Sequence, residues 1–212
     1  MTSRAAALAL LLAGCASPPP FYADKQDLLR TIDGGRVSTS RAWELRRAHI
    51  LANAQLVMGP LPAGGPPLDV QVHEEIRLEG HVRRRISYVS EEGDRVPAFL
   101  LVPHGAKAAP AAVCLHQTTP LGKSEPAGLG LKNLAYAKEL AERGFVAIAP
   151  DYPNYGDSKV DVYARGWASA TMKGIWNHRR AVDVLRALPE VDPERIAAIG
   201  HSLGGHNAIF LG

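Results

Sequence analysis

The pentapeptide GHSLG, residues 200–204, places a serine between two glycines in the pattern G-x-S-x-G. A serine hydroxyl can attack an ester or amide carbonyl and hold the acyl group as a covalent intermediate. The spacing matters because such a serine sits on a very sharp turn above a sheet, where Gly200 and Gly204 have to be small. The motif therefore predicts Ser202 as a nucleophile for acyl transfer.

The substrate oxygen gains negative charge during such an attack and needs N–H donors aimed at it. A helix expected to begin at Leu203 would present free N–H groups and the positive end of its dipole. A second donor is expected in CLHQTTP, residues 114–120, at the end of an earlier strand. We predict the backbone N–H groups of Gln117 and Leu203 as the oxyanion hole, with His116 anchoring the loop. An ordinary turn with a structural histidine is the alternative for this segment.

A third polar segment, APDYPNYGDS at residues 149–158, follows another apolar run. Aspartate side chains in turns often accept hydrogen bonds from nearby backbone N–H groups. We therefore predict that Asp151 holds the backbone of this loop and takes no part in the chemistry.

Alternating strands and helices must position these segments. Continuous apolar runs, typical of parallel strands covered on both faces, occur at 111–116, 145–150 and 196–199. Helical patterns separate them at 131–144 and 167–189, and a turn is expected at 191–195. Three strand-like runs come earlier, at 72–78, 82–90 and 95–103. The pattern predicts an α/β fold with a mostly parallel sheet and an antiparallel start, preceded by a helix from Ser40 to Met58 that Ser40 caps.

From about Arg41 onward the chain resembles the α/β-hydrolase superfamily, in particular dienelactone hydrolases and acetyl xylan esterase-like serine hydrolases. The resemblance rests on four segments in the expected order: RRAHILANAQLVMGPLP, LHQTTPLGKSEPAG, APDYPNYGDS and GHSLGGHNAIF. It implies the α/β-hydrolase fold. Dienelactone hydrolases use a cysteine where this chain has Ser202, so the resemblance implies an esterase that acts on small-molecule or carbohydrate esters through an acyl-enzyme.

The resemblance also implies that an Asp or Glu, and then a His, follow the serine on later loops. Among the residues after Ser202, His206 is the only histidine and there is no Asp or Glu. His206 lies one helical turn further on the same helix and is expected to point along it. The other histidines lie upstream, on loops that do not usually supply the base: His49, His73, His81, His104, His116, His178 and His201.

We therefore expect residues 41–212 to be the N-terminal part of an α/β-hydrolase domain whose C-terminal strands are missing from this chain. The strand Ile196–Ile199 would then lie at a bare edge of the sheet. Two alternatives remain at this point. One is a truncated, catalytically inactive hydrolase-like lipoprotein, and the other is a serine peptidase of related fold.

The N-terminus MTSRAAALALLLAGC has one positive residue and then an apolar run too short to span a bilayer. Residues 1–14 are typical of a signal peptide, and LAGC resembles the lipobox of bacterial lipoproteins. We predict lipidation of Cys15, a tether at 15–40, and a protein exported across the inner membrane and lipid-anchored in the bacterial cell envelope, with Ala16 weakly favouring the outer membrane. A plain secretory signal with an incidental cysteine is the alternative.

The composition excludes several classes of function. The 212 residues are 46% hydrophobic and 21% charged, with a net charge of +3. Two short basic clusters, at 46–49 and 81–85, lack interleaved aromatic residues, so nucleic-acid binding is not predicted. Histidines and acids lack metal-ligand spacing and no phosphate-binding glycine loop is present, so no metal or other cofactor is predicted. The sequence does not determine the oligomeric state.

Overall fold

A computed structural model describes residues 20–22 and 26–212. The predicted signal peptide, residues 1–14, and the predicted lipidation site Cys15 lie outside the described residues. The described residues divide into two compact units, one ending at residue 57 and the other comprising residues 58–212. Within the described ranges, no helix combines the length and the apolar character needed to cross a membrane.

Helix α1 (Ser40–Met58) confirms the helix that the sequence predicts. Its cap is Thr39 rather than Ser40, because Thr39 Oγ1 accepts a hydrogen bond from the Ala42 N–H at 3.2 Å. The helix ends before Gly59, whose φ of 99° lies in the left-handed region that favours glycine.

The unit formed by residues 58–212 is built on a six-stranded sheet in the order β1-β2-β3-β5-β4-β6. Its strands are β1 (Gln71–Arg77), β2 (His81–Glu91), β3 (Asp94–Pro103), β4 (Ala109–Leu115), β5 (Val146–Pro150) and β6 (Val191–Gly200). β1, β2 and β3 pair antiparallel, β3 pairs antiparallel with β5, and β4 pairs parallel with β5 and β6. Strands β2, β4, β5 and β6 thus point in one direction. The predicted fold class, an antiparallel start followed by a mostly parallel sheet, is confirmed.

Three helices cover the sheet: α2 (Tyr136–Glu142), α3 (Ala170–Arg186) and α4 (Leu203–Leu211). Successive strand residues face opposite cores, as the two-residue period of a strand requires. Val113 belongs to the core that α3 covers with Ala181 and Leu185. Cys114 belongs to the core that α2 covers with Ala137. Cover on both faces explains why the sequence of β4 is continuously apolar.

Strand β6 begins earlier than predicted and contains a large bulge. Its Val191 pairs with Ala109 and its Ile196 pairs with Ala111, so the residues between them loop out of register. Within that loop Asp192 Oδ1 accepts the Glu194 N–H at 3.1 Å. The turn expected at 191–195 is therefore an irregularity inside the strand.

Strand β6 also lies at one end of the sheet order, and the described residues provide no strand on its outer side. Ile199 in this strand is 39% exposed, although it pairs with Cys114 of β4. The bare edge expected from the sequence is present in the described part of the chain.

Candidate active site

The serine of the G-x-S-x-G motif lies between β6, which ends at Gly200, and α4, which begins at Leu203. Ser202 has φ 51° and ψ −116° and is exposed. A non-glycine residue with positive φ costs about 1–3 kcal/mol and persists only where its surroundings hold it. The predicted strand, turn and helix are therefore all present, and they hold Ser202 in a strained position at the carboxyl end of β6.

The two glycines of the motif are required by close contacts. A Cβ atom on Gly200 would lie 2.2 Å from the carbonyl carbon of Gly204. A Cβ atom on Gly204 would lie 1.8 Å from the carbonyl oxygen of Leu115 and 2.9 Å from that of His116. The first distance shows that the backbone of the turn around Ser202 is tightly closed. The second shows that the start of α4 packs directly on the backbone at the end of β4.

The predicted oxyanion donors come from the two strand ends that this contact brings together. Leu115, the last residue of β4, pairs with Gly200 in the ladder between β4 and β6. Gln117 follows two residues later, and Leu203 begins α4. Among the described residues, no protein acceptor receives the backbone N–H of Gln117 or of Leu203. Both donors are thus available to a ligand, and their role as an oxyanion hole stays a prediction.

His116 anchors its loop, as predicted. Its Nε2 accepts the Tyr152 N–H at 3.0 Å, and its Nδ1 lies 2.6 Å from the carbonyl oxygen of Gln117. A ring that accepts at Nε2 carries its proton on Nδ1, so Nδ1 donates to Gln117. Burial lowers the pKa of His116 and keeps the ring neutral. The histidine therefore ties the loop after β4 to the loop after β5.

Asp151 makes the second tie between these loops and confirms the backbone-holding role predicted for it. Its Oδ1 accepts the Lys123 N–H at 2.7 Å, and its Oδ2 accepts the Asp157 N–H at 2.9 Å. The Lys123 ammonium lies 2.8 Å from Asp151 Oδ2 and 2.6 Å from Asp157 Oδ2. Lys123 is 2% exposed and Asp151 is 0% exposed, so the pair is shielded from water.

We expect the Asp151→Asn variant to be less stable by about 3 kcal/mol, because it leaves a buried ammonium short of one counter-charge. The amide NH₂ of the new asparagine would also face a backbone N–H group from which the Asp151 carboxylate now accepts a hydrogen bond. Urea unfolding followed by circular dichroism measures the change. Asp157→Asn is the control, since the Asp157 side chain is 64% exposed and its loss should cost clearly less. Equal losses in the two variants would contradict this account of Asp151.

The side chains around Ser202 include no general base within the described part of the chain. None of these side chains forms a hydrogen bond with Ser202 Oγ. The His206 ring packs edge-on against Phe210, with 4.7 Å between ring centroids, and its backbone N–H donates to the Ser202 carbonyl at 3.0 Å. His206 therefore points along α4, as the sequence predicts.

Two further observations concern cofactors and nucleophiles. Over residues 20–22 and 26–212, no group of three His, Cys, Asp or Glu side chains is arranged to hold a metal ion. Cys114 is a free thiol buried in the sheet, and burial raises its pKa far above the usual range. A thiol held in its neutral form is a poor nucleophile. Cys114 is thus not a candidate nucleophile.

Sequence reasoning missed two charged residues that support the loop of Gln117. Lys123 is one, and the other is Glu125, which is 3% exposed. Glu125 Oε2 accepts the Gln117 side-chain N–H at 2.6 Å, and Glu125 Oε1 accepts the Leu131 N–H at 3.2 Å. The only signal in the sequence is a Lys and a Glu within a Gly- and Pro-rich loop directly after a buried strand. Such a loop is more often solvated, so the signal is weak.

Comparisons with known proteins agree with this architecture. The model of the alpha/beta hydrolase family matches residues 112–212. No curated protein matches the sequence. A solved glucuronoyl esterase from Solibacter usitatus is similar to the chain, with 19% identity over 87% of this chain and 59% of that one, at a TM-score of 0.67.

Two other solved structures are similar in the same way. A protein from Bacteroides fragilis assigned as an acetyl xylan esterase has 17% identity over 81% of this chain and 50% of its own, with a TM-score of 0.64. Acetyl xylan esterase 1 from Thermoanaerobacterium has 16% identity over 75% of this chain and 51% of its own, with a TM-score of 0.55. The chain thus spans between 50% and 59% of the length of these structures. At sequence identities of 16–19%, the similarity shows that this chain shares the fold of these structures.

Proposed function

Because this chain has the α/β-hydrolase fold, and that family's model matches residues 112–212, we propose that it is a serine hydrolase acting on carboxylic esters. The observation that carries the proposal is the placement of Ser202, at φ 51° between β6 and α4, beside the end of β4. This geometry supports a nucleophile exposed at the carboxyl edge of a sheet, where open α/β folds bind their ligands.

The proposed reaction begins when Ser202 Oγ attacks the ester carbonyl. The carbonyl oxygen becomes an oxyanion, and the N–H groups of Gln117 and Leu203 stabilise it together with the N-terminus of α4. The tetrahedral intermediate collapses to an acyl-serine and releases the alcohol, and water then hydrolyses the acyl-serine and returns the hydroxyl. The loop ties through His116 and Asp151 hold the Gln117 N–H in place before the substrate arrives.

A serine hydroxyl needs a general base to react at a useful rate. The described residues place no side chain in hydrogen-bond contact with Ser202 Oγ. We propose that the base and its acid partner come from further chain, of the kind that makes the similar solved structures longer than these 212 residues. The likeness to acetyl xylan and glucuronoyl esterases supports a small-molecule or carbohydrate ester as substrate.

A second candidate is a hydrolase-like protein without catalysis, in which Ser202 is not activated. A fluorophosphonate probe separates the two, because it reacts only with an activated serine. We expect the product of the complete gene to be labelled at Ser202, with labelling and 4-nitrophenyl acetate hydrolysis lost by at least about a thousandfold in Ser202→Ala. Ser38→Ala, at an exposed site in residues 1–57, is the matched control and should be labelled normally. A folded gene product that stays unlabelled would support the non-catalytic candidate.

We further propose that the protein is lipid-anchored through Cys15, on the strength of the LAGC segment after the apolar run. Stable anchoring takes two membrane-binding signals, such as two acyl chains, and acylation of an N-terminal Cys15 would supply acyl chains. Expressed with its leader in a bacterium, the protein should sediment with membranes and incorporate labelled palmitate, whereas Cys15→Ser should do neither. Palmitate incorporation that persists in Cys15→Ser would contradict the proposal.

A further inference from the structure

A second feature at the carboxyl edge of the sheet is a pocket of about 380 Å³. It is lined by residues 118–120 after β4, by residues 154–156 after β5, and by Lys159. The first lining residue, Thr118, directly follows Gln117. The pocket therefore begins one residue after the predicted oxyanion donor Gln117, on the same loop. Small-molecule sites usually have volumes of about 300–1,000 Å³, so the pocket fits a group of roughly one sugar ring.

The groups that line the pocket are rich in hydrogen-bond donors. Asn154 Oδ1 already accepts the Val160 N–H at 3.1 Å, which leaves the two N–H bonds of its amide for a ligand. Thr118 and Tyr155 add hydroxyl groups, and Lys159 adds an ammonium. No Asp or Glu is among the described residues that line the pocket. A donor-rich lining without a carboxylate favours a ligand that is rich in acceptors.

The charge of Lys159 is not committed to a neighbouring acid. Its ammonium makes one long hydrogen bond, 3.3 Å to the Gly156 carbonyl oxygen. The nearby Asp157 carboxylate is instead held by Lys123 at 2.6 Å. Lys123 is also the main cause of the lowered pKa of Asp157, and Lys159 contributes less than either Lys123 or Arg85. Lys159 is exposed, so its charge remains available to an anion that enters the pocket.

The two walls of the pocket are held together by buried contacts. His116 Nε2 accepts the Tyr152 N–H, and Asp151 Oδ1 accepts the Lys123 N–H, so each wall is tied to the other on its inner side. A pocket whose walls are already fixed loses little conformational entropy when it binds a ligand. The fixed walls distinguish this pocket from a shallow depression between two mobile loops.

We propose that this pocket binds the free carboxylate of an acidic ester substrate, with Lys159 and Asn154 on the carboxylate and Tyr155 against a hydroxylated body such as a sugar ring. The inference rests on the proposed function, because it places this group next to an ester carbonyl at Ser202. It narrows the substrate class to esters that carry a second, unesterified acid group.

Binding of galacturonate and of galactose tests the proposal, because the two sugars differ in one carboxylate. We expect an NMR titration of the protein to shift the amide signals of Thr118 and Asn154, with a Kd about tenfold lower for galacturonate. Lys159→Gln should remove this preference and Lys159→Arg should keep most of it. Lys107→Gln, an exposed lysine at the opposite end of β4, should bind both sugars as the unmodified protein does. Equal affinities for the two sugars, or a preference that survives in Lys159→Gln, would overturn the proposal.

Fluorophosphonate labelling of Ser202 in the product of the complete gene keeps this result distinct from the proposed function. Labelling together with equal affinities for the two sugars refutes the acidic pocket and leaves the esterase. A clear preference for galacturonate without labelling supports the anion site and refutes the catalytic role.

Discussion

We expect the Gly204→Ala variant to lose more than about 4 kcal/mol of folding free energy and to accumulate as insoluble protein. The added Cβ would lie 1.8 Å from the Leu115 carbonyl oxygen, a distance at which either β4 or α4 must move. Alanine gains about 1 kcal/mol over glycine in helix propensity, which is much smaller than the cost of that displacement. The yield of soluble protein and the midpoint of urea unfolding measure the loss.

Gly205→Ala is the matched control, because it changes the next residue of the same helix in the same way. Its Cβ would meet its nearest atom, the Gly200 carbonyl oxygen, at 3.2 Å, so a shift of a few tenths of an ångström relieves it. We expect this variant to stay soluble and to lose less than about 1 kcal/mol. A soluble, stable Gly204→Ala protein would show that α4 does not pack on β4 as described.

The second large effect is a loss of stability in mild acid. Burial lowers the pKa of His178 to about 3, and a smaller electrostatic interaction with His116 acts in the same direction. Burial also lowers the pKa of His116 and of His81. The unfolded chain takes up these protons near pH 6.5, while the folded chain resists them, so the unfolded state binds more protons as the pH falls.

The stability contributed by neutral His178 is therefore complete above pH 6.5 and is lost progressively down to about pH 3. For His178 each pH unit within this window costs on the order of 1 kcal/mol, or on the order of 5 kcal/mol over the whole window. Urea unfolding at pH 7, 6, 5 and 4 measures the slope. Carboxylates whose pKa is lowered, such as Asp157, lose their contribution to stability only below about pH 5, so the slope between pH 6.5 and pH 5 reports the histidines.

His178→Phe should make the slope shallower, because a buried phenylalanine has no proton to take up. Trp176→Phe serves as the control, since it changes a buried residue of the same helix that does not titrate. It should lower the free energy of unfolding by the same amount at every pH. An unchanged slope in His178→Phe would remove His178 as the cause of the acid loss.

The sequence predicts the strands and the sharp turn around Ser202 well because both have local causes. Val113 and Cys114 face different cores, so β4 must be apolar throughout, and this pattern is visible in the sequence. Ser202 is recognisable because the two glycines around it meet backbone atoms that tolerate no side chain. Because these positions accept only glycine, the turn is visible in the sequence as the G-x-S-x-G motif.

The interactions that the sequence does not predict join residues far apart in the chain. Lys123 and Asp151 are 28 residues apart and meet only because β4 and β5 are neighbours in the sheet. The same neighbour relation forms the pocket at Lys159. The bulge in β6 is missed for a different reason, since Asp192 forms a local turn while the strand continues around it. Strand order and register decide these features, and neither is written in local residue patterns.

The strand order has a consequence for how the chain folds as it is made. β1, β2 and β3 are neighbours both in sequence and in the sheet, so they can pair as soon as Pro103 has left the ribosome. β4 comes next in the chain, but β5 lies between β3 and β4. The apolar strand β4 (Ala109–Leu115) therefore remains unpaired until β5 (Val146–Pro150) has been synthesised. We expect this stretch of the nascent chain to be the one that most needs a chaperone.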